Sequence, residues 1–188
     1  MVAKIQFSDI KIERLSLNDS NIFQSFSCDN ERLDTFFQEE IVTCIKHHYV
    51  VAYCVRHTQL GVLAIFTLSN DCITLTYDSE DFIEENVNIF DENYQYMFKE
   101  QGTYPAINIA HLAVHKDYRR NGIGRCIIEY IIGTFINFDI AGCQFVTVDS
   151  INNSETNLFY MQMGFSNLTN SDCTASTRRM YLNLGGYR

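Results

Sequence analysis

Apolar positions along the chain switch between two spacings, and the switches mark out the elements. In "SCDNERLDTFFQEEIVTCIKHH", residues 27–48, Leu33, Phe36, Phe37 and Ile41 recur every three to four residues, which predicts a helical region. "KIQFSDIKIERL" ahead of it reads as a first strand. "YVVAYCVRH" and "GVLAIFTLS" flank "TQL" and predict a hairpin with Gly61 near its turn. "AINIAHLAV", residues 106–114, is apolar on both parities, the pattern of a strand buried on both faces. Ile127, Ile128, Ile131, Ile132 and Phe135 then form one helical face.

Farther along, "CQFVTVDS" predicts another buried strand and "RRMYLNL" a closing one. Between them "NNSETNLFYMQMGF" predicts a helix. Asn152 with Glu155 three residues on has capping-box spacing, Asn standing for Ser or Thr, and Gly164 is placed to stop the helix. Strands outnumber helices in this reading, and their mixed order predicts an α/β or α+β fold. No Pro/Gly/Ser-rich linker or repeat interrupts the 188 residues, so a single domain over 1–188 is expected.

Charge adds a prior about partners. The formal net charge is −9, a field that repels nucleic acid and anionic membranes and attracts cations. The acid is concentrated between Tyr77 and Glu100, where eight carboxylates meet only Lys99. A solvated helix or loop face is the expectation there, with the gathering of a cationic substrate as the functional counterpart. The N-terminal stretch lacks the apolar core of a secretory signal, and no apolar run approaches about 20 residues, which predicts a cytoplasmic protein with no membrane partner. Seven widely spaced cysteines show no C-x-x-C pair and no zinc spacing, and the adjacent His47 and His48 are poorly placed to share a metal. No metal site is expected.

The chemistry concentrates in "HKDYRRNGIGRCIIEYIIG", residues 115–133. Gly122 and Gly124 fall where a strand hands over to a helix, so backbone N–H groups can approach a ligand closely. The start of that helix adds unsatisfied N–H groups and the positive end of its dipole, a geometry that binds phosphate. Arg119, Arg120 and Arg125 reverse the local charge of an otherwise acidic chain. A P-loop would need G-x-x-x-x-G-K-[ST], which is absent, and a dinucleotide fingerprint would need glycine where Ile127 stands. What remains is R-x-x-G-x-G, Arg119 to Gly124.

"LAVHKDYRRNGIGRCII", followed by "NNSETNLFYMQMGF", resembles the GCN5-related N-acetyltransferase (GNAT) superfamily, in which R/Q-x-x-G-x-G/A cradles the pyrophosphate of acetyl-CoA. The two segments cover Ile107 to Phe165. More loosely, "FSCDNERLDTFF" with "VLAIFTLS" is similar to the branch that includes toxin acetyltransferases acting on aminoacyl-tRNA. The resemblance implies a GNAT-like domain with a central, mostly antiparallel, splayed sheet flanked by helices, and acetyl-CoA as acyl donor. It implies that Leu112, Ala113 and Val114 pair with the pantetheine arm. Arg119, Arg120, Asn121, Gly122, Ile123 and Gly124, with the N–H groups of Arg125 and Cys126, are implied to hold the pyrophosphate. Asn153, with Asn152 close by, is implied to face the cofactor arm.

The reaction so implied is attack of an amine on a thioester. The oxyanion that develops needs an N–H donor such as that of Val114, and the departing thiolate leaves more easily if protonated. Tyr160 stands where the family places that acid. His111 and the acidic segment are candidates for the base that takes the proton of the amine. The expected acceptor is a cationic small amine or a protein or peptide amine. Nucleic acid is disfavoured by charge, with tRNA left open. "RRMYLNL", as an edge strand, is a candidate contact for a homodimer. A non-catalytic acyl-CoA-binding or partner-binding module on the same scaffold is the alternative, separated from the enzyme by turnover.

Overall fold

Seven strands form one sheet in the computed structural model, which describes residues 5–76 and 79–188. Lys4, at the start of the expected first strand, and Tyr77 and Asp78, at the start of the acidic segment, lie outside the described residues. The strands are β1 (Ile10–Arg14), β2 (Val51–His57), β3 (Gly61–Thr74), β4 (Thr103–Val114), β5 (Phe145–Ile151), β6 (Ser166–Asn167) and β7 (Thr177–Asn183). Their order is β1-β2-β3-β4-β5-β7-β6, and the pairs β1–β2, β2–β3, β5–β7 and β7–β6 are antiparallel.

Contrary to the expectation from periodicity, strands do not outnumber helices among the described residues. There are seven α-helices: α1 (Ser20–Ser25), α2 (Glu31–Thr35), α3 (Ile41–Lys46), α4 (Glu80–Val87), α5 (Glu92–Glu100), α6 (Ile123–Phe135) and α7 (Ser154–Gln162). The expected helix over 27–48 is broken into α2, a π-helical turn at Phe36–Glu40, and α3. The acidic segment, expected as a solvated helix or loop face, supplies two more helices. By contacts the chain divides into two units, Met1–Ser69 with Ile109–Ile127, and Asn70–Asn108 with Ile128–Arg188.

In the first unit the hairpin forms as its sequence predicts. His57 sits opposite Gly61, whose φ of +78° is a backbone conformation that glycine adopts without strain. The His57 ring closes the turn, its Nδ1 accepting from the N–H groups of Gln59 (3.1 Å) and Leu60 (3.3 Å). The core packs Phe23, Phe37 and Ile41 from the helices against Cys54, Ile65 and Ala113 from β2, β3 and β4. Asn30 starts α2 by accepting from the Leu33 N–H at 3.1 Å.

In the second unit an aromatic cluster explains how an acid-rich segment can be helical at all. Phe82 of α4 and Phe98 of α5 turn inward against Tyr104, Phe145 and Tyr181, with Phe82 4.9 Å from the Tyr181 ring and Phe98 4.6 Å from Tyr104. Their carboxylates at Asp81, Glu84, Glu85 and Glu92 stay exposed. Polar tips are satisfied inside: the Tyr104 hydroxyl donates to the Phe98 carbonyl at 2.6 Å, and that of Tyr181 to Glu85 at 2.6 Å.

Two expectations are corrected in this unit. β7 is not a free edge, because β6 pairs with it at Met180 and Tyr181, Leu168 N–H donates to the Arg179 carbonyl, and Asp172 accepts the Arg179 N–H at 2.7 Å. The cap of α7 is Asn153 rather than Asn152: its side chain accepts from the Thr156 N–H at 2.8 Å. Asn152 instead donates to the carbonyls of Cys173 and Ala175, at 2.9 and 2.8 Å, tying the 173–175 loop to the helix start. Two adjacent asparagines offer the same cap chemistry, and the contact to a distant loop decides between them.

Gly164 ends α7 as expected. Its φ is +89°, and the Phe165 N–H reaches back to the Tyr160 carbonyl at 3.0 Å. A Cβ there would lie 3.2 Å from the Tyr187 hydroxyl. Gly164→Ala is expected to cost about 1–3 kcal/mol of stability, read as a lowered denaturant midpoint at unchanged slope.

Candidate active site

The turn between β4 and α6 is built entirely within the first unit. Past Val114 the chain stays pinned to its neighbours: His115 N–H donates to the Leu63 carbonyl at 2.8 Å and Lys116 N–H to the Ser27 carbonyl at 3.2 Å. A short 3₁₀ turn, Lys116–Tyr118, follows, started by the His115 ring accepting from the Asp117 N–H. Beyond it the backbone becomes left-handed at Arg120 (φ +63°) and again at Gly122 (φ +79°). Such alternation turns successive N–H groups toward one side and forms an anion-binding concavity. Asn121 braces the loop from within, its amide donating to the carbonyls of Tyr118 and Arg119 at 3.1 and 3.0 Å. Ile123, buried, anchors the far end.

α6 begins at that point. Cys126 N–H donates to the Gly122 carbonyl at 3.1 Å and so belongs to the helix ladder, not to the expected group of free donors. The N–H groups of Ile123, Gly124 and Arg125 have no carbonyl one turn earlier. These three, with the positive end of a 13-residue helix, supply the donor set that a pyrophosphate requires. The residues present therefore fit acetyl-CoA at its phosphates.

Arg119 does something the motif did not announce. Its guanidinium donates to the carbonyl of Cys28, 91 residues earlier. Cys28 is held in turn by Asp34, whose carboxylate accepts from the Cys28 N–H at 2.7 Å and from the Ser27 hydroxyl at 2.9 Å. Burial works against that carboxylate, yet these hydrogen bonds hold it below its ordinary range. Burial, reinforced by the adjacent Asp34, pushes the Cys28 thiol up to about 12, so it stays protonated and inert. Nothing in the spacing of "SCDNERLD" marked it as the support of the loop.

Of the three strand residues expected beside the cofactor, Ala113 is buried in the core, while Leu112 and Val114 are half-buried. His111, the candidate base on the same strand, is committed elsewhere. Its ring stacks on Phe36 at 3.6 Å and its Nδ1 is 2.9 Å from the Thr67 hydroxyl. Burial, aided by Arg32, pulls its pKa down to about 4. A base that weak does not hold a proton taken from an amine.

Tyr160 lies in the second unit, buried on α7 with Phe159 and Phe165 at 5.0 and 5.2 Å. Burial raises its pKa well above the ordinary phenol value. Asn152 and Asn153 lie at the start of the same helix, their side chains engaged as described above. Among the described residues no group of three or more His, Cys, Asp or Glu is placed to hold a metal, and no helix is long and apolar enough to cross a membrane.

Comparison with known proteins bears on the family and the fold. Residues 46–167 match the family model described as "Acetyltransferase (GNAT) domain". No curated protein sequence matches. Among solved structures, a tyrosine-to-phenylalanine mutant of KacT superposes with a TM-score of 0.71 at 17% identity, covering 94% of this chain and 95% of that one. AtaTR bound with AcCoA gives a TM-score of 0.70 at 18% identity, covering 95% of each. AtaT complexed with acetyl-methionyl-tRNAfMet gives 0.68 at 18% identity, covering 91% of this chain and 94% of that one.

The burial of His111 sets a pH dependence. Its folded pKa of about 4 lies below the unfolded value near 6.5, so between those limits the unfolded chain binds a proton that the folded chain refuses. Stability is full above about pH 6.5 and falls as pH drops toward 4, by at most about 3 kcal/mol from this residue. His111→Gln is expected to flatten the pH dependence of the denaturant midpoint across that window.

Proposed function

The chain belongs to the acetyltransferase (GNAT) family, and from that premise we propose that it transfers the acetyl group of acetyl-CoA to a primary amine. The observation that carries the reading is the left-handed turn at Arg120 and Gly122, which delivers the chain into α6 with three N–H donors at its start. In this proposal those N–H groups and Arg125 meet the pyrophosphate. Arg119 acts one step removed, positioning the loop through Cys28. Leu112 and Val114 present strand backbone to the pantetheine arm, and Asn152 and Asn153 fix the start of α7.

The amine nitrogen forms a bond to the acetyl carbon, the carbon–sulfur bond breaks, the amine loses a proton to solvent, and the thiolate gains one. Tyr160 is the proposed donor of that last proton. Because burial keeps its hydroxyl protonated well past the ordinary phenol range, the acid form is present throughout the working pH range. Its ionisation therefore adds no falling limb to the rate profile below about pH 10.

A second reading, an aminoacyl-tRNA as the acceptor, is favoured by one observation: AtaT has been solved in complex with acetyl-methionyl-tRNAfMet. The net charge of −9 weighs on the other side, toward cationic small amines or peptide amines. A panel of small amines, peptides and a charged tRNA, incubated with acetyl-CoA and read by mass, decides between them. Release of CoA with none of these would return the chain to the non-catalytic alternative.

Two variants test the machinery in that assay. Gly122→Asp puts a side chain and a negative charge where the phosphates are proposed to sit and is expected to abolish acetyl-CoA binding by calorimetry; unchanged affinity would refute the cradle. Tyr160→Phe removes only the hydroxyl and is expected to lower kcat by about 10²–10⁴-fold with acetyl-CoA still bound. Turnover within about threefold of the parent, with chemistry rate-limiting, would leave proton delivery to water.

A further inference from the structure

Within the first unit, the segment 26–28 ahead of α2 runs beside the entrance to the β4–α6 loop and meets it residue by residue. The Phe26 ring packs edge-on against the His115 ring at 5.8 Å. The Ser27 carbonyl accepts from the Lys116 N–H at 3.2 Å, and the Cys28 carbonyl accepts from the Arg119 guanidinium. Two side chains of the following helical region hold that segment in turn. Gln38 donates to the Phe26 carbonyl at 3.2 Å. Asp34 holds the two residues whose carbonyls meet the loop, accepting from the Cys28 N–H at 2.7 Å and from the Ser27 hydroxyl at 2.9 Å.

The segment needs that hold. Cys28 is buried, so its N–H loses a hydrogen bond that water does not readily replace if the carboxylate is removed. Asp29, next in the chain, is left-handed (φ +58°), a conformation that a residue other than glycine keeps only while its surroundings impose it. With the carboxylate gone the segment relaxes, and the carbonyls offered to Lys116 and Arg119 move with it. We propose that Asp34 is a positioning residue for the phosphates of acetyl-CoA. Acting through Ser27 and Cys28, it keeps the left-handed turn at Arg120 and Gly122, and the first N–H groups of α6, in the arrangement that receives an anion. The inference rests on the reading of this loop as the phosphate cradle and assigns a part of the cofactor affinity to a side chain on another helix. Coupling of this indirect kind is worth about two- to thirtyfold in affinity.

A carboxylate that served stability alone would leave both the loop and the affinity unchanged in the folded protein, so the test reads both. Asp34→Ala is compared with Ile41→Val, which trims the buried core of the same unit and touches none of these hydrogen bonds. In ¹⁵N-labelled protein without ligand, Asp34→Ala is expected to shift or broaden the backbone amide signals of Arg120, Gly122 and Gly124, and Ile41→Val to leave them in place. By calorimetry Asp34→Ala is expected to bind acetyl-CoA about tenfold more weakly than the parent, and Ile41→Val within about twofold of it. Asp34→Asn keeps one acceptor oxygen without the charge and is expected to fall between, about threefold or more weaker than the parent; it carries the test if Asp34→Ala does not fold. Unmoved loop signals, parent-like affinity, or an equal loss in Ile41→Val overturns the proposal. If Gly122→Asp abolishes binding while the Asp34 variants bind like the parent, the positioning role alone fails; if Gly122→Asp itself binds like the parent, the cradle fails and the role of Asp34 with it.

Discussion

The hydrogen bond from the Arg119 guanidinium to the Cys28 carbonyl fastens the β4–α6 loop to the first helices of the chain. A loop that turns left-handed twice within three residues stores conformational cost, of order 1–3 kcal/mol for a non-glycine such as Arg120. It persists because its surroundings over-determine it: Asn121 bridges it from within, Ile123 is buried at its end, and Lys116 and His115 are tied to Ser27 and Leu63. Asp34 supports the arrangement from behind by accepting the Cys28 N–H. Preorganisation of this kind is what lets backbone N–H groups receive an anion without first ordering themselves.

The same unit shows how burial removes chemistry as readily as it creates it. His111 has the residue type and the strand position of a base, yet its stack on Phe36 and its bond to Thr67 make it a structural ring with a depressed pKa. Cys28 is silenced in the opposite direction, its thiol pushed up beside Asp34. For Tyr160, the proposed proton donor, the direction is again upward: burial keeps the hydroxyl protonated and at the same time makes it a weaker acid. Whether a shifted pKa disables a group or readies it depends on which protonation state the chemistry uses.

In the second unit the net charge and the core are separate matters. Eight carboxylates between Tyr77 and Glu100 did not prevent helices, because Phe82 and Phe98 carry the packing while the exposed acids face water. The polar groups that do go inside, such as Asn86 and Tyr181, are hydrogen-bonded to each other at 3.0 Å.

The strands β2 to β5, the Gly61 hairpin, the Gly164 stop and the left-handed turn at Gly122 were legible in the sequence, because each rests on local rules: side-chain periodicity, or a glycine where φ is positive. The proposed chemistry of the loop rests on the same local rule, since R-x-x-G-x-G places glycines where backbone could approach a phosphate. Tertiary structure alone decided the rest. Which asparagine caps α7 depends on a loop at 173–175, and whether β7 is an edge depends on the segment that folds back at 166–172. Arg119 reads in sequence as a phosphate ligand, and only the tertiary structure shows that its guanidinium also reaches a carbonyl 91 residues away. Local spacing carries backbone conformation; partners distant in sequence are chosen by packing, and no short motif records them.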